Sequence, residues 1–254
     1  MFYNISMKHV LIAILMIMIS VQIPISSAQG SIIFAIERSK NSVVEITSEI
    51  GGLFRSKPTA VKDAATGRIL LAQKVGAAKY TRTGAGVIID NSGTVVTNAH
   101  TVEGASRITL TFNNGETVNA EVIGSFPDED ITFLKPEKQA KNIQPVIFVK
   151  PTPLQLRTRV FSIGYSDVLK GTIAEGKITG IGKNMHSKNK EYADLIQVSL
   201  SIYKGDSGGP LFNEYGEFLG LLVGSLQKTS KTSYAIPAQK IAGLYIKMIS
   251  PSKT

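Results

Sequence analysis

The sequence predicts an all-β protein, a sandwich or barrel of many short strands closed by a single C-terminal helix. Three observations lead there. Short runs rich in Val, Ile and Thr recur along the chain. Turn-forming Gly, Asn and Pro residues separate them. Long helical periodicity shows clearly once, at the C-terminal end.

Taken in order, residues 1–28 read as a targeting segment. Lys8 and His9 precede the apolar run Val10–Ile25, and Ser26, Ser27 and Ala28 supply the small residues a signal peptidase reads. Gln22 and Pro24 cut the purely apolar stretch below the roughly 20 residues a spanning helix needs. A cleaved leader is therefore expected rather than a membrane anchor, with the mature chain starting near Gln29.

Strands are expected at Ser42–Thr47, Ala85–Asp90, Thr94–Thr97 and Arg107–Phe112. Asn113-Asn114-Gly115 is a tight-turn signal that pairs Arg107–Phe112 with Thr117–Ile123. Ile131–Leu134, Val146–Val149, Arg159–Ile163 and Ile173–Ile181 continue the pattern, and Leu195–Leu200, Phe218–Val223 and Thr232–Ile236 complete it. Pro237 suits a first helical turn, after which Ile241, Leu244, Tyr245 and Met248 share one face. Pro145 to Pro153 is the expected linker between two sets of strands.

Composition excludes several functions. With 43% hydrophobic and 19% charged residues in 254, the chain carries enough apolar material for a core. Having no cysteine, it has no disulfide scaffold, thiolate zinc site, cysteine nucleophile or lipidated cysteine. Three histidines, one of them in the leader, make a histidine metal cluster hard to build, so no metal or cofactor is expected. Loss of the leader removes one lysine and lowers the net charge from +9 to +8. Between Gly51 and Arg82, seven basic residues (Arg55, Lys57, Lys62, Arg68, Lys74, Lys79, Arg82) face one acid, Asp63, so this stretch supplies +6 of that charge. A surplus so localised argues against a nucleic-acid-binding face.

The chemistry concentrates in Gly205-Asp206-Ser207-Gly208-Gly209-Pro210-Leu211. A serine nucleophile needs small neighbours for substrate to approach, and nearby N–H groups to hold a developing oxyanion. Gly205 is able to adopt the turn that aims its own N–H and that of Ser207 at one point. A hydroxyl also needs a base. His186, in the polar stretch Lys183–Lys190, reads as a solvated loop residue; His100 closes an apolar strand and is the better candidate. For the carboxylate that orients the base, Asp128 follows Pro127 as a turn residue, whereas Asp130 directly precedes the strand Ile131–Leu134 and is preferred.

These blocks resemble the chymotrypsin-like (trypsin-fold) serine peptidases, and among them the HtrA/Deg group of bacterial envelope proteases. Residues Thr83 to Ile89, Val96-Thr97-Asn98-Ala99-His100 and Asp130-Ile131-Thr132 resemble that group's histidine and aspartate blocks. Gly205–Leu211 matches the serine block, Ser233 to Pro237 resembles the closing strand, and the order His, Asp, Ser agrees. The resemblance implies two antiparallel six-stranded β-barrels with the site between them. Residues 29–149 would form the first barrel, with a basic loop insertion at 51–82, and residues 150–254 the second barrel and helix. It implies His100 as general base and then acid, Asp130 as orienter and Ser207 as nucleophile, with the N–H groups of Gly205 and Ser207 as oxyanion hole. Ser201 would form the base of the primary pocket and Leu222, Val223 and Gly224 its wall, which implies cleavage after small or medium apolar residues.

Further expectations follow from the resemblance. Substrates would be proteins or peptides, in the periplasm or outside the cell, and homo-oligomers are common in the group. The chain ends soon after the helix, so the group's PDZ domain is expected to be absent. Asp206 departs from the group's usual Asn, and no Ile-Val-Gly-Gly activation start accompanies it. The basic segment sits where the group carries a variable loop; it reads either as a solvated insertion or as a docking element for an anionic envelope polymer. The competing function is a catalytically dormant binding protein on this scaffold.

Overall fold

The computed structural model describes residues 32–165, 170–187, 190–225 and 231–250, so the expected leader lies outside the described residues. Each strand expected from the sequence falls in a strand of its own, and several extend beyond the expected ends. The first barrel closes in the order β1 (Val43–Arg55), β4 (Val75–Ile88), β5 (Val95–Thr97), β8 (Ile131–Pro136), β7 (Thr117–Phe126) and β6 (Ala105–Thr111). Alternate residues point inward, and Val44, Ile46, Ile88, Val95, Leu110 and Leu134 fill it with no exposed surface. A short helix, α2 (Ala99–Val102), links β5 to β6.

The second sheet runs β13 (Pro210–Asn213), β10 (Arg159–Tyr165), β11 (Lys170–Ser187), β12 (Lys190–Val198), β15 (Ser233–Pro237) and β14 (Glu217–Ser225). Pairing of β13 with β14 closes this ring of six, and β9 (Ile147–Phe148) adds to β14 in parallel. Val160, Val198, Leu200, Leu211, Leu222 and Ala235 form its core. The architecture is thus the expected pair of antiparallel barrels with a C-terminal helix. Strand β9 falls within the expected strand Val146–Val149, inside the stretch also read as a linker, and β13 begins at the end of the serine block, where Gly and Pro masked its strand character.

A third cluster fills the seam. Val87, Val96 and Phe133 from the first barrel meet Phe161, Phe212 and Phe218 from the second, with Phe161 and Phe212 ring centroids 5.2 Å apart. Two helices strap this seam. Helix α1 (Ile32–Ser39) precedes the first barrel yet packs on the second: a Cβ at Gly216 would lie 3.1 Å from Ser39 Oγ and 3.4 Å from the Ala35 carbonyl. It escaped the sequence reading because eight residues carry too little periodicity to separate helix from strand. Helix α3 (Ala238–Ile249) follows the second barrel, packs against its β14 and β15, and reaches across to the first. The Tyr245 hydroxyl donates to Asp90 at 2.5 Å, Lys240 pairs with Glu129 at 2.8 Å, and the Met248 thioether packs over Gly124, where a Cβ would push it aside. Ile241, fully buried, contributes on the order of 2 kcal/mol to this docking.

Residues 51–82 differ from the loop expected there. The outer halves of β1 and β4 pair from Gly51↔Lys79 to Arg55↔Val75, and β2 (Thr59–Lys62) with β3 (Ile69–Ala72) forms a second hairpin beyond them. The segment is a two-stranded ribbon standing off the barrel. Gly, Ala and Lys hid its alternation, and register with the barrel strands imposes it.

Candidate active site

Asp130 is held by its backbone before its side chain is considered. The turn Pro127–Glu129 ends on Asp130 in a left-handed conformation (φ 57°, ψ 41°), which Asp tolerates better than most residues. Its carbonyl accepts from the Ala99 N–H and from Asn98 Nδ2, both at 3.1 Å. This ties the start of β8 to α2, the element that carries His100. The buried carboxylate then accepts the His100 backbone N–H at 3.0 Å and faces His100 Nδ1 at 2.8 Å. An ionised carboxylate only accepts, so Nδ1 carries a proton, and in the neutral imidazole Nε2 keeps a free lone pair. The His100 side chain remains 42% exposed, so that lone pair is reachable.

Two further groups meet this carboxylate. The Tyr192 hydroxyl donates to Asp130 Oδ2 at 3.0 Å, and Lys190 lies 5.2 Å from the Tyr192 ring centroid while donating to the Pro127 carbonyl. Burial pushes the Asp130 carboxyl upward. The His100 hydrogen bond, its charge, its backbone N–H and the Lys190 ammonium outweigh this and hold the carboxyl below its ordinary value. Burial first, then the neighbouring Asp130, pushes the Tyr192 hydroxyl up, so it stays a donor at neutral pH. Tyr192 stands 62 residues from Asp130 and belongs to the other barrel; no local signal in the sequence connects them.

Ser207 is placed by the glycine block. Its carbonyl accepts the Ala85 N–H at 2.9 Å, a link from the second barrel to β4 of the first. Gly208 has φ 79°, and a Cβ there would lie 2.3 Å from both the Ala85 carbonyl and Thr97 Oγ1. Only glycine fits. Gly208 and Gly209 then pair with Leu222, N–H to carbonyl in each direction at 2.9 Å. Gly205 adopts φ 101°, and neither its N–H nor that of Ser207 meets an acceptor among the described residues. Nor does a hydrogen bond join the Ser207 side chain to His100 among them.

Asp206 turns away, into the barrel. Its Oδ2 accepts the Tyr203 N–H at 2.7 Å, and its buried Oδ1 has no partner. Oδ1 sits so close to Gly164 that a Cβ there would approach to 2.1 Å. Burial raises this carboxyl, with the Tyr203 N–H opposing.

A cavity of about 1010 Å³ opens beside the imidazole. His100, Asp130, Tyr192, Ile108, Val122 and Val223 are among its lining residues. Of the other expected pocket residues, Ser201 is half-buried, Leu222 points into the second barrel's core, and Gly224 lies on β14. The rejected candidates stand apart. His186 is on β11, where a loop was expected, its side chain 77% exposed and 3.5 Å from Glu191; Asp128 is exposed on the turn.

Known proteins share this fold. A family model described as the trypsin-like peptidase domain matches residues 84–221. A periplasmic serine endoprotease of the DegP-like kind from Chlamydia muridarum is 36% identical over 139 residues, 54% of this chain and 27% of that protein. Protease Do-like 1 of the Arabidopsis thaliana chloroplast is 28% identical over 171 residues, 65% of this chain and 39% of its own length. The chain therefore spans less than half the length of either relative. Among solved structures, an HtrA-type protease, AlgW, with a decapeptide superposes with a TM-score of 0.69 at 24% identity, covering 86% of this chain and 67% of the other. By its barrels, the order of its blocks and these likenesses, the chain belongs to the trypsin-like peptidase family, among relatives of the HtrA/Deg type.

Proposed function

We propose that the protein is an exported serine endopeptidase, with Ser207 as nucleophile, His100 as base and Asp130 as orienter. The observation that carries this is the pairing of buried Asp130 with the half-exposed His100, beside a serine turn docked on Ala85. In the reaction, Ser207 Oγ attacks the scissile carbonyl carbon while His100 Nε2 takes its proton. The carbonyl π pair moves to oxygen, where the N–H groups of Gly205 and Ser207 stabilise it. Collapse breaks the C–N bond, His100 passes its proton to the departing amine, and water repeats the sequence on the acyl-enzyme. Attack requires the Ser207 side chain to swing onto Nε2, a contact that apo enzymes often tighten only with substrate.

Proteins or peptides are the substrates in this reading, cleaved after small or medium apolar residues beside Ser201, Val223 and Gly224, with Leu222 contributing only its backbone to the wall. Residues 1–28 serve as the export signal, and relatives described as periplasmic support that compartment. The cationic ribbon is the contact for an anionic partner. The test is labelling by a fluorophosphonate probe, with Ser207→Ala as control. Covalent labelling of wild type that the substitution abolishes is the expected result. A folded wild type that does not label favours a dormant protease-fold binding protein, a reading that the unpartnered Asp206 Oδ1 keeps in view.

A further inference from the structure

The ribbon of residues 51–82 is exposed in a way that charge alone does not explain. Leu53, Val61, Ile69, Leu70, Leu71 and Val75 are 48 to 81% exposed, although Val, Ile and Leu usually seek a core. The cross-strand register assigns them to both faces. Ala60 opposes Leu71 and Val61 opposes Leu70, so Ile69 and Leu71 lie on one face of the outer hairpin while Leu70 and Val61 lie on the other. No third strand pairs with β2 or β3 among the described residues, and an isolated two-stranded ribbon is marginal in water.

Cations surround this apolar surface. Arg55, Lys57, Lys62, Arg68, Lys74 and Lys79 make no ion pair among the described residues. The segment's one acid, Asp63, is occupied in its own turn, accepting from the backbone N–H groups of Ala65 and Thr66 and from the Thr66 hydroxyl. Arg82 differs, since it donates to the carbonyls of His100 and Glu103.

These two features select an occupant. A soluble polyanion would neutralise the cations and leave six apolar side chains in water. A second copy of the chain would bring the same cations against them. A protein groove covers one face of a ribbon, whereas here both faces are apolar. The interface of an anionic bilayer supplies acidic headgroups and an acyl boundary that surrounds a shallowly inserted ribbon. Lysine stems reach back to the headgroups from such a depth. The free backbone edges of β2 and β3 limit the depth to the hydrated headgroup layer. We propose that the ribbon is a membrane-surface anchor, specific for anionic phospholipid, that holds the catalytic body beside a bilayer. This deepens the anionic-partner reading and is independent of the assignment of the triad.

Flotation of the full chain with vesicles tests it, using phosphatidylcholine alone or mixed in equal parts with phosphatidylglycerol. All variants keep the same N-terminus, so any contribution of residues 1–28 is common to them. Because the chain has no tryptophan, Leu70→Trp provides a reporter confined to the ribbon. Binding to the anionic vesicles, with a blue shift of that reporter, is expected. At about 1 kcal/mol per lysine near an anionic surface, K57Q/K62Q/K74Q/K79Q weakens ribbon binding by roughly 100-fold or more. Ile69→Ser with Leu71→Ser weakens it by about tenfold or more with every cation retained. Circular dichroism and unchanged fluorophosphonate labelling show that these variants fold. If polyphosphate binds and the serine variants bind it as well as wild type, while vesicles leave the reporter unshifted, the lipid proposal fails and a soluble polyanion takes its place. If neither ligand moves the reporter, the anionic-partner reading fails with it.

Discussion

Tyr192→Phe removes one oxygen atom from the site and leaves its packing intact. In the wild type that hydroxyl donates to Asp130 Oδ2, the same oxygen that lies 2.8 Å from His100 Nδ1. A hydrogen bond to a charged group contributes about 1.5–3 kcal/mol net. Tyr192 is half-buried and Asp130 keeps the His100 N–H, so the lower end applies. A loss of about 1.4 kcal/mol in transition-state stabilisation corresponds to a roughly tenfold slower reaction. The substitution also carries a signature that packing damage lacks. It slows the chemical step without weakening probe binding. The assay is the rate of fluorophosphonate labelling, which reports Ser207 without a known substrate. The fall is expected in the limiting rate, with the half-saturating probe concentration within about twofold of wild type. A folded Y192F protein that labels at the wild-type limiting rate would refute the positioning role.

Two substitutions probe two other shifted carboxyls. Asp206→Asn removes a buried charge whose Oδ1 has no partner, and unfolding at neutral pH is expected to need on the order of 1–2 kcal/mol more, read as a rise of a few degrees in Tm. Because burial raises the folded pKa of Asp206 above its unfolded value, the advantage is full above the folded pKa, fades as pH falls from the folded towards the unfolded pKa, and is gone below the latter; a stability gap independent of pH would contradict this. Tyr245→Phe unties α3 from Asp90, whose carboxyl is brought down to about 2: burial pushes it up, and hydrogen bonds from Tyr245, Ser92 and Thr94 more than offset that. Asp90 is partly exposed, so after allowance for screening the expected cost is about 1 kcal/mol. A depressed carboxyl stabilises above its unfolded pKa, so the difference from wild type in urea denaturation shrinks as pH falls from about 5 towards 2. A difference that grows on acidification would show that α3 is held by other contacts.

The sequence by itself determined those parts of the protein whose physics is local. Gly205–Leu211 announces a serine turn because seven consecutive residues must be small or specific for one loop to form, and Gly208 meets that demand within 2.3 Å of Ala85 and Thr97. The strands and α3 were readable because residues that share a face recur at fixed spacing, even where their ends were not. Asp130 could be preferred to Asp128 because a residue entering a strand is anchored and one in a turn is not. Only the tertiary structure decided the rest. Tyr192 reaches Asp130 across the seam, α1 and α3 each pack on the barrel they do not adjoin in sequence, and Leu222 points into a core where a pocket wall was expected. The basic segment became an exposed apolar ribbon because the register of β1 with β4 extends into it. Burial, charge partners and pKa shifts depend on atoms brought together from distant positions, and no run of neighbouring residues records which ones will meet.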